Sequence, residues 1–221
     1  MRIVSGELIS KNNFKHPFTC ICSGSSGAGK TTFVETLLLS DRISNLEHKK
    51  FSHVYYFYPD ELDSAPVDWA DTFEVPVSYN SGIPDSNFYK SIKPNSVIVF
   101  DDNFYDLSGD NEFVKAFRVY ARKFNFSIIA ISQSYFEGQK HSRTIRNNCD
   151  IHILFENWGG AGTNLTAARR LGYEAKFKEA SKEAYKKRYG YVMIFTGSDI
   201  QNDKLRVQTN FFSYSNNFCF Y

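Results

Sequence analysis

Three short stretches of this chain carry side chains suited to phosphate chemistry. Lys30 and Thr31 close a glycine-rich stretch. Asp101 and Asp102 stand side by side after an apolar run, and Gln133 ends another apolar run. A lysine neutralises phosphate charge, a hydroxyl and a carboxylate hold Mg²⁺, and an amide hydrogen-bonds a phosphate oxygen or a water molecule. These residue types together indicate chemistry on a nucleoside triphosphate.

The glycine-rich stretch matches the phosphate-binding pattern G-x-x-x-x-G-K-[ST]. Its three glycines let the backbone wrap a polyphosphate without Cβ clashes, so that successive N–H groups point inward. A strand-like run at residues 18–23 precedes it and a helical run at residues 32–39 follows it, and the helix N-terminus favours an anion. We predict that ATP is bound by Gly24, Ser25, Ser26, Gly27, Ala28, Gly29, Lys30, Thr31 and Thr32.

The two aspartates follow a continuous apolar run that begins at Ser96. Such a run is typical of a parallel strand buried on both faces, and ligands bind at the carboxyl ends of these strands. We therefore expect Asp101, together with Thr31, to hold Mg²⁺, and Asp102 to polarise the attacking water. The alternative is that two acids simply open a loop after a strand.

Gln133 ends the apolar run of residues 126–132, which follows an amphipathic helix predicted over residues 110–124. An amide at this position can hydrogen-bond both the γ-phosphate and the lytic water. This assignment requires the Gln133 strand to lie between the phosphate-loop strand and the aspartate strand. The alternative is a glutamine that only caps its strand.

The remaining chain predicts one α/β domain over residues 1–221, with its core in 14–212, a peripheral N-terminal segment and an aromatic C-terminal tail. We assign no chemistry to residues 60–94, whose pattern is weak, and we predict a loop over residues 134–148. The other predicted strands are 2–4, 51–58, 73–75, 151–155, 191–195 and 205–207, and the other predicted helices are 86–92, 165–171 and 175–187.

The amino-acid composition excludes few classes of function. A net charge of +2 is too small to indicate a nucleic-acid partner by itself. The four cysteines have no metal-ligand spacing, which favours a reduced, intracellular setting. No apolar run approaches the 18 or so residues of a membrane span, so we expect a soluble protein with no membrane span.

The phosphate loop, the Asp-Asp strand, Gln133 and residues 143–148 together resemble one family. They are similar to the poxvirus-type genome-packaging ATPases of the FtsK/HerA superfamily, especially the small versions in Polinton/Maverick elements, adintoviruses and related DNA viruses. The likeness spans most of residues 14–212. Two features depart from the pattern: paired histidines are missing where Lys-Phe-Asn stands at 123–125, and the acid pair is Asp-Asp where many members have Asp-Glu.

The resemblance implies a P-loop NTPase of the additional-strand type (RecA/FtsK-HerA-like), with a mostly parallel central sheet flanked by helices. It implies an ATPase motor that uses ATP and Mg²⁺. Subunits would form a homo-oligomeric ring, hexameric or pentameric, that pulls double-stranded DNA into a preformed capsid. The implied partners are DNA and capsid or portal-vertex proteins, and the implied location is the host-cell nucleus or cytoplasm at sites of virion assembly.

Two arginines in the predicted loop are candidates for action between subunits. A positioned arginine that offsets charge on the γ-phosphoryl group raises hydrolysis by about 10³–10⁵-fold. We predict that Arg143 chiefly, with Arg146 as the alternate, acts in trans on the ATP of the next subunit. The alternative is that one of them pairs with Asp150 or Glu156 in its own subunit.

Basic residues near Lys140 and along residues 176–188 are the candidates for contacts with DNA phosphates. The alternative for the second group is a solvated helix face.

Three other functions compete with the motor. A nucleotide kinase would carry a lid with clustered arginines, and a GTPase would carry an N-K-x-D motif, and the sequence shows neither. A replicative helicase-type ATPase shares the motor chemistry and stays open as an alternative.

Overall fold

The computed structural model describes residues 13–160, 162–198, 200, 202–212 and 218–219. Within them the strands are β1 (Phe14–Lys15), β2 (Thr19–Ser23), β3 (Ile43–Ser44), β4 (Val54–Tyr58), β5 (Val77–Ser81), β6 (Ser96–Asp101), β7 (Phe126–Ser132), β8 (Ile151–Phe155), β9 (Tyr191–Phe195), β10 (Val207–Thr209) and β11 (Phe218–Cys219). The α-helices are α1 (Lys30–Leu39), α2 (Ser86–Ser91), α3 (Phe104–Leu107), α4 (Asn111–Lys115), α5 (Ala121–Lys123), α6 (Ser142–Asn147), α7 (Thr163–Arg170) and α8 (Glu174–Ala184). Residues 116–120 form a π-helical segment between α4 and α5, and residues 47–49 and 203–205 form 3₁₀ turns.

The main sheet runs in the order β11-β10-β9-β8-β2-β7-β6-β4-β5, and β1 pairs separately with β3. The strands from β8 to β5 in this order are parallel to one another, whereas β9, β10 and β11 add in antiparallel fashion. The predicted mostly parallel α/β sheet is therefore confirmed. The strand that leads to Gln133, β7, lies between β2 and β6, as the sensor assignment requires.

Alternating side chains of the central strands build a core layer on each face of the sheet. On one face, Ile129 and Ile131 of β7 pack in a layer with Phe33 and Leu37 of α1. On the other face, Ile128 and Ala130 pack among residues of α2, α3, α4, the π-helical segment and α6. Because both faces are covered, these strands contain few polar residues, and the polar side chains follow where the strands end.

Some predicted elements differ in the structure. The strand predicted over residues 205–207 is β10, at Val207–Thr209, because residues 203–205 form a 3₁₀ turn. Residues 73–75 form no strand: Phe73 turns inward to pack on Trp69, with ring centroids 5.3 Å apart, and the strand next to β4 is β5. Residues 134–148 are not a continuous loop, because they contain helix α6. This helix is short and polar, so its sequence shows little of the periodicity that identifies a longer helix.

The predicted helix over 110–124 begins as expected. Asp110 caps it by accepting a hydrogen bond from the Phe113 amide at 2.8 Å. The helix then passes through the π-helical segment and so divides into α4 and α5. A one-residue change of register of this kind is invisible to an average hydrophobic period.

The two ends of the chain are only partly described. The strand predicted over residues 2–4 lies outside the described residues. In the aromatic tail, Phe211 is buried against Phe14 and Phe212 packs on Phe33, with ring centroids 5.5 and 5.1 Å apart. The tail therefore begins by docking on its own domain. None of the helices in the described residues combines the length and the apolar character that a membrane span needs.

A buried histidine makes the fold sensitive to acid. His152 of β8 is fully buried, its Nδ1 lies 3.1 Å from the Tyr135 hydroxyl, and burial, helped by the nearby Arg146 guanidinium, lowers its pKa to about 3. Between pH 6.5 and pH 3, His152 is protonated in the unfolded chain but stays neutral in the folded protein. The stability that this histidine contributes is therefore present above pH 6.5 and is lost as the pH falls towards 3.

We predict that His152→Gln lessens this loss. Between pH 7 and pH 5 the free energy of unfolding should fall by about 2 kcal/mol less in the variant than in the wild type, because the glutamine takes up no proton. Urea denaturation at the two pH values measures the difference. An equal loss in the two proteins would contradict the assignment.

Candidate nucleotide-binding site

The phosphate loop leaves the carboxyl end of β2 and enters α1. A Cβ at Gly24 would lie 2.5 Å from Cβ of Phe155, and one at Gly29 would lie 3.1 Å from the Tyr189 ring. Gly29 also has a φ of 91°, in the left-handed region that favours glycine. Both positions therefore require glycine, and together they bring the backbone close to β8 and to the Tyr189 loop while leaving a concave surface above α1.

Lys30 is buried under this loop. Its Nζ donates hydrogen bonds to the carbonyl oxygens of Gly24 and Ser25 at 2.8 and 3.0 Å. Two neutral carbonyls orient the ammonium group without cancelling its charge. This arrangement holds a positive charge inside the loop, where it can stabilise a bound anion.

Asp101 lies at the end of β6, directly across from Thr31. Its Oδ2 is 3.3 Å from the Thr31 hydroxyl oxygen and also accepts a hydrogen bond from the Tyr56 hydroxyl. Burial raises the pKa of the Asp101 carboxyl, the hydrogen bond from Tyr56 opposes this shift, and the neighbouring Asp102 charge adds to it. The buried carboxylate would be stabilised by a cation.

The sequence did not single out Tyr56. It lies on β4, which pairs with β6, and burial beside Asp101 raises the pKa of its hydroxyl. The tyrosine therefore stays protonated and donates its hydrogen bond. A signal was present in the aromatic run of residues 54–58, but only the pairing of β4 with β6 shows which of its tyrosines faces the aspartate.

Asp102 and Gln133 meet at the same edge of the sheet. Strands β6 and β7 are neighbours, with Asp101 opposite Ile131, and the Gln133 Nε2 donates to Asp102 Oδ2 at 3.2 Å. Both side chains are exposed, and Asp102 has a φ of 56° that turns it away from the strand direction. An amide and a carboxylate that meet in this way can both hydrogen-bond to one water molecule.

A cavity of about 630 Å³ extends from the phosphate loop along α1, a size within the range of small-molecule sites. Its polar end is formed by the loop, Thr31, Asp101 and Asp102. Its other walls are largely apolar or aromatic and come from distant segments, including Pro59, Leu62, Pro66, Tyr189, Tyr191 and Phe212. Part of the 60–94 segment, to which the sequence assigned no chemistry, therefore lines the site.

The loop after β8 also touches the phosphate loop, a contact that the sequence did not predict. The Ser25 hydroxyl lies 3.3 Å from Asn157 Oδ1 and accepts a hydrogen bond from the Trp158 amide at 3.0 Å. The glycine-rich turn that follows β8 is thereby tied to the phosphate loop. Ser26, Gly27, Thr31 and Thr32, which are four of the residues that we expect to bind nucleotide, line the cavity.

The structure separates the two arginines. Arg143 is exposed on α6, and it makes no hydrogen bond or ion pair with the residues that the structure describes. Arg146 is buried, and its guanidinium donates to the carbonyl oxygens of Tyr135 and Glu137 and to the Ser142 hydroxyl. Its guanidinium is thus engaged within its own chain. Arg146 thus lies in helix α6 and not in the loop predicted over residues 134–148, and its engaged guanidinium leaves Arg143 as the arginine that we propose to act in trans.

The pairing of an arginine with Asp150 or Glu156, the alternative raised from the sequence, is not what the structure shows. Asp150 accepts from Arg122 at 2.7 Å, and Glu156 accepts from the Trp158 indole at 3.2 Å.

Acidic partners offset several of the basic residues in and beyond α8. Lys176 pairs with Asp203, Lys178 with Glu174 and Lys186 with Glu183, at 2.7 to 3.0 Å. Arg188 lies over the Tyr189 ring, 4.9 Å from its centroid. Most of these ion pairs are exposed and therefore weak, so the basic groups stay available at the surface.

The residues of the site fit ATP with Mg²⁺. Gly24 and Gly29 let the loop pass close to Phe155 and Tyr189, where a Cβ would clash, and the Lys30 ammonium under the loop supplies a positive charge for a phosphate. Thr31 and Asp101 supply a hydroxyl and a carboxylate oxygen, which are the hard ligands that Mg²⁺ prefers.

The chain resembles proteins of known structure in its fold. No protein-family model matches the chain, and no curated protein matches its sequence. B204, the DNA-packaging ATPase of Sulfolobus turreted icosahedral virus, superposes with a TM-score of 0.54 and 13% identity over 84% of this chain and 96% of that chain. The genome-packaging NTPase B204 of Sulfolobus turreted icosahedral virus 2, in complex with ATP-γS, gives 0.53 and 13% over 87% and 96%.

This chain has the fold of a P-loop NTPase. At 13% identity the likeness to B204 is one of fold, and the chemistry of this P-loop NTPase fold depends on its own residues.

We predict that the two aspartates of the P-loop NTPase fold can be separated by substitution. Asp102→Asn should leave Mg²⁺-dependent nucleotide affinity nearly unchanged and lower kcat by about 10²–10⁴-fold, because a group that polarises water acts mainly in the transition state. Asp101→Asn should weaken nucleotide binding in Mg²⁺ as well, because a metal ligand acts in the ground state.

Calorimetric binding of a non-hydrolysable ATP analogue, with and without Mg²⁺, checks this division together with steady-state hydrolysis. Asp106→Asn is the matched control, since Asp106 is an exposed acid on α3 that does not line the cavity. Equal losses of affinity in the Asp101 and Asp102 variants would refute the assignment.

Proposed function

We propose that this protein is a Mg²⁺-dependent ATPase that assembles into a homo-oligomeric ring and packages viral double-stranded DNA into a capsid. The observation that carries the proposal is the hydrogen bond between Gln133 and Asp102. Gln133 follows β7, which is inserted between the phosphate-loop strand β2 and the aspartate strand β6. The family resemblance and the fold shared with B204 support the step from hydrolysis to packaging.

ATP with Mg²⁺ supplies the γ-phosphoryl group that passes to water. Lys30 offsets negative charge on the phosphates, and Thr31 and Asp101 would hold the metal. Asp102 orients and polarises the attacking water, and the Gln133 amide hydrogen-bonds that water and the γ-phosphate. An amide paired with a carboxylate suits water as the acceptor, which favours a hydrolase over a kinase.

Arg143 is proposed to act on the ATP of the neighbouring subunit. Helix α6 packs through Ile145 into the core layer opposite α1, and Arg143 is not among the residues that line its own cavity. An exposed arginine on this face supports a role at a subunit interface. The charge that it brings to the γ-phosphoryl group would make hydrolysis depend on ring assembly.

Contacts with DNA are proposed for the exposed Lys140 and for the basic residues of α8 and the segment that follows it. These residues would bind phosphates and carry no base specificity. Their acidic neighbours in α8 keep the net charge of this region small, so the affinity for DNA should be modest in a monomer and should depend on the ring, where several copies act together.

We expect purified protein to hydrolyse ATP in the presence of Mg²⁺, and linear double-stranded DNA to stimulate the rate. Lys30→Ala should abolish hydrolysis, since the phosphates lose their buried counter-charge. DNA binding should weaken as salt rises, because phosphate contacts release counterions.

Strand-displacement and phosphate-acceptor assays separate the alternatives. Hydrolysis coupled to strand separation would favour a helicase, and transfer of phosphate to a small molecule would favour a kinase. Stimulated hydrolysis without strand separation agrees with translocation along the duplex. Hydrolysis that ignores DNA at every salt concentration would refute the motor but leave the ATPase.

Subunit mixing tests Arg143 in trans. Lys30→Ala subunits supply the arginine but cannot hydrolyse, whereas Arg143→Ala subunits keep an intact phosphate loop. In a mixed ring the Lys30→Ala subunit completes the site of its neighbour, so the mixture should hydrolyse ATP faster than either variant alone.

Arg118→Ala is the matched control, since Arg118 is an arginine of the neighbouring helical segment that does not line the cavity. It should hydrolyse at the wild-type rate without mixing. No recovery in the mixture, under conditions where wild-type rings form and exchange, would show that Arg143 does not act between subunits.

A further inference from the structure

We infer that Arg146 is a positioning residue that fixes the turn after Gln133 against helix α6, so that the Gln133 amide and the Arg143 guanidinium are held as one unit. The inference rests on the proposed function, because it assigns roles to those two side chains. It concerns a buried arginine that touches neither the cavity nor the metal ligands.

The Arg146 guanidinium joins two segments of the chain. Its Nη1 donates to the Tyr135 carbonyl oxygen at 2.8 Å and to the Glu137 carbonyl oxygen at 3.0 Å. Its Nη2 donates to the Ser142 hydroxyl, one turn earlier on α6, at 3.0 Å. One planar group with fixed donor directions therefore bridges the turn and the helix.

The turn that Arg146 grips begins directly after Gln133. The Glu137 carboxylate closes it by accepting from the Ser132 hydroxyl and from the Ser134 amide, each at 3.1 Å. Ser132 is the last residue of β7, so these bonds return the chain to the end of its own strand. A shift of the turn would move Gln133, which lies between Ser132 and Ser134.

The segment from the turn to α6 is also tied to the chain that follows the aspartates. The backbone N–H of Gln139 donates to the Ser108 hydroxyl, and the backbone N–H of His141 donates to the Ser108 carbonyl oxygen at 3.1 Å. Ser108 follows α3, which begins two residues after Asp102. The base of α6 is thus anchored to segments leaving both β6 and β7, and Arg146 is the side chain that locks it to the second of them.

The position is a costly one for a charge. The hydrogen-bond acceptors of Arg146 are neutral, the rings of Tyr135 and Phe136 lie within 5.7 Å of its guanidinium carbon, and burial lowers its pKa. Burying a cation among neutral groups costs free energy of folding, which its hydrogen bonds offset only in part. The geometry that it supplies here is the relation between the turn and α6.

Arg146→Lys tests the inference, because lysine keeps the charge but lacks the planar fork. We expect kcat for ATP to fall by about 10- to 100-fold, with KM nearly unchanged, because displacement of a catalytic group by about 1 Å has this effect. Arg170→Lys is the matched control: Arg170 lies over the same Phe136 ring, 4.6 Å from its centroid, and does not bind the turn through any hydrogen bond in the described residues. It should hydrolyse at the wild-type rate.

Double-mutant cycles distinguish positioning from general destabilisation. Arg146→Lys is combined with Gln133→Ala and, separately, with Arg143→Ala. If Arg146 acts through both side chains, its own effect on kcat should be smaller in each double variant than in the wild-type background, because one of the two groups that it positions is absent. Additive losses in either cycle would overturn the inference, as would an equal loss in Arg170→Lys.

Hydrogen exchange gives a readout that does not depend on activity. In Arg146→Lys, amides of residues 134–137 and of α6 should exchange faster than in the wild type, while amides of β2 and β4 keep their rates. Ser142→Ala, which removes one acceptor only, should give a smaller change in the same region and covers the case in which Arg146→Lys does not fold. Unchanged exchange in these segments would overturn the positioning role. If the variant shows faster exchange but the wild type hydrolyses no ATP, the proposed function fails and the structural role of Arg146 stands.

Discussion

Parallel pairing of β2, β7 and β6 is the constraint on which this protein depends. Parallel strands bring their carboxyl ends to the same edge of a sheet, so the phosphate loop, Gln133 and the two aspartates meet although they are far apart in the chain. The interiors of these strands are apolar because helices cover both faces, and polar side chains are left to the strand ends. The same strand pairing therefore builds both the core and the site.

The site and the turn after β7 contain buried charged groups that an apolar core would not accommodate. Lys30, Asp101 and Arg146 are all buried, and neutral donors or acceptors orient each of them. Burial of this kind destabilises a fold when taken alone. The charges of Lys30 and Asp101 face the cavity, where phosphate and metal would offset them. The charge of Arg146 faces a turn, where its effect is on geometry.

The two faces of the sheet have different tasks in the proposed motor. Helix α1 and the aromatic residues of the C-terminal part enclose the nucleotide side. The opposite face carries α6, which presents Arg143 outward from a base anchored to the ends of β6 and β7. A change at the γ-phosphate would thus reach the surface that we assign to the neighbouring subunit through a short and rigid path. In the proposed ring motor, this path would link hydrolysis to assembly.

The sequence by itself determined the local chemistry. Residues 24–32, the aspartate pair and Gln133 were identified from residue types and short-range spacing, and the continuous apolar runs indicated buried parallel strands, because local pattern reports burial. The insertion of one strand between the other two was implied by the family resemblance. Only the tertiary structure decided the roles of residues whose partners lie far away in the chain. Tyr56 reaches Asp101 through the pairing of β4 with β6, and Leu62 and Phe212 reach the cavity from opposite halves of the chain. Arg143 and Arg146 look alike in sequence, yet one is exposed and the other buried, because helix α6 turns them in different directions. Hydrophobic periodicity could not reveal so short a polar helix, and the direction of each arginine follows from its packing.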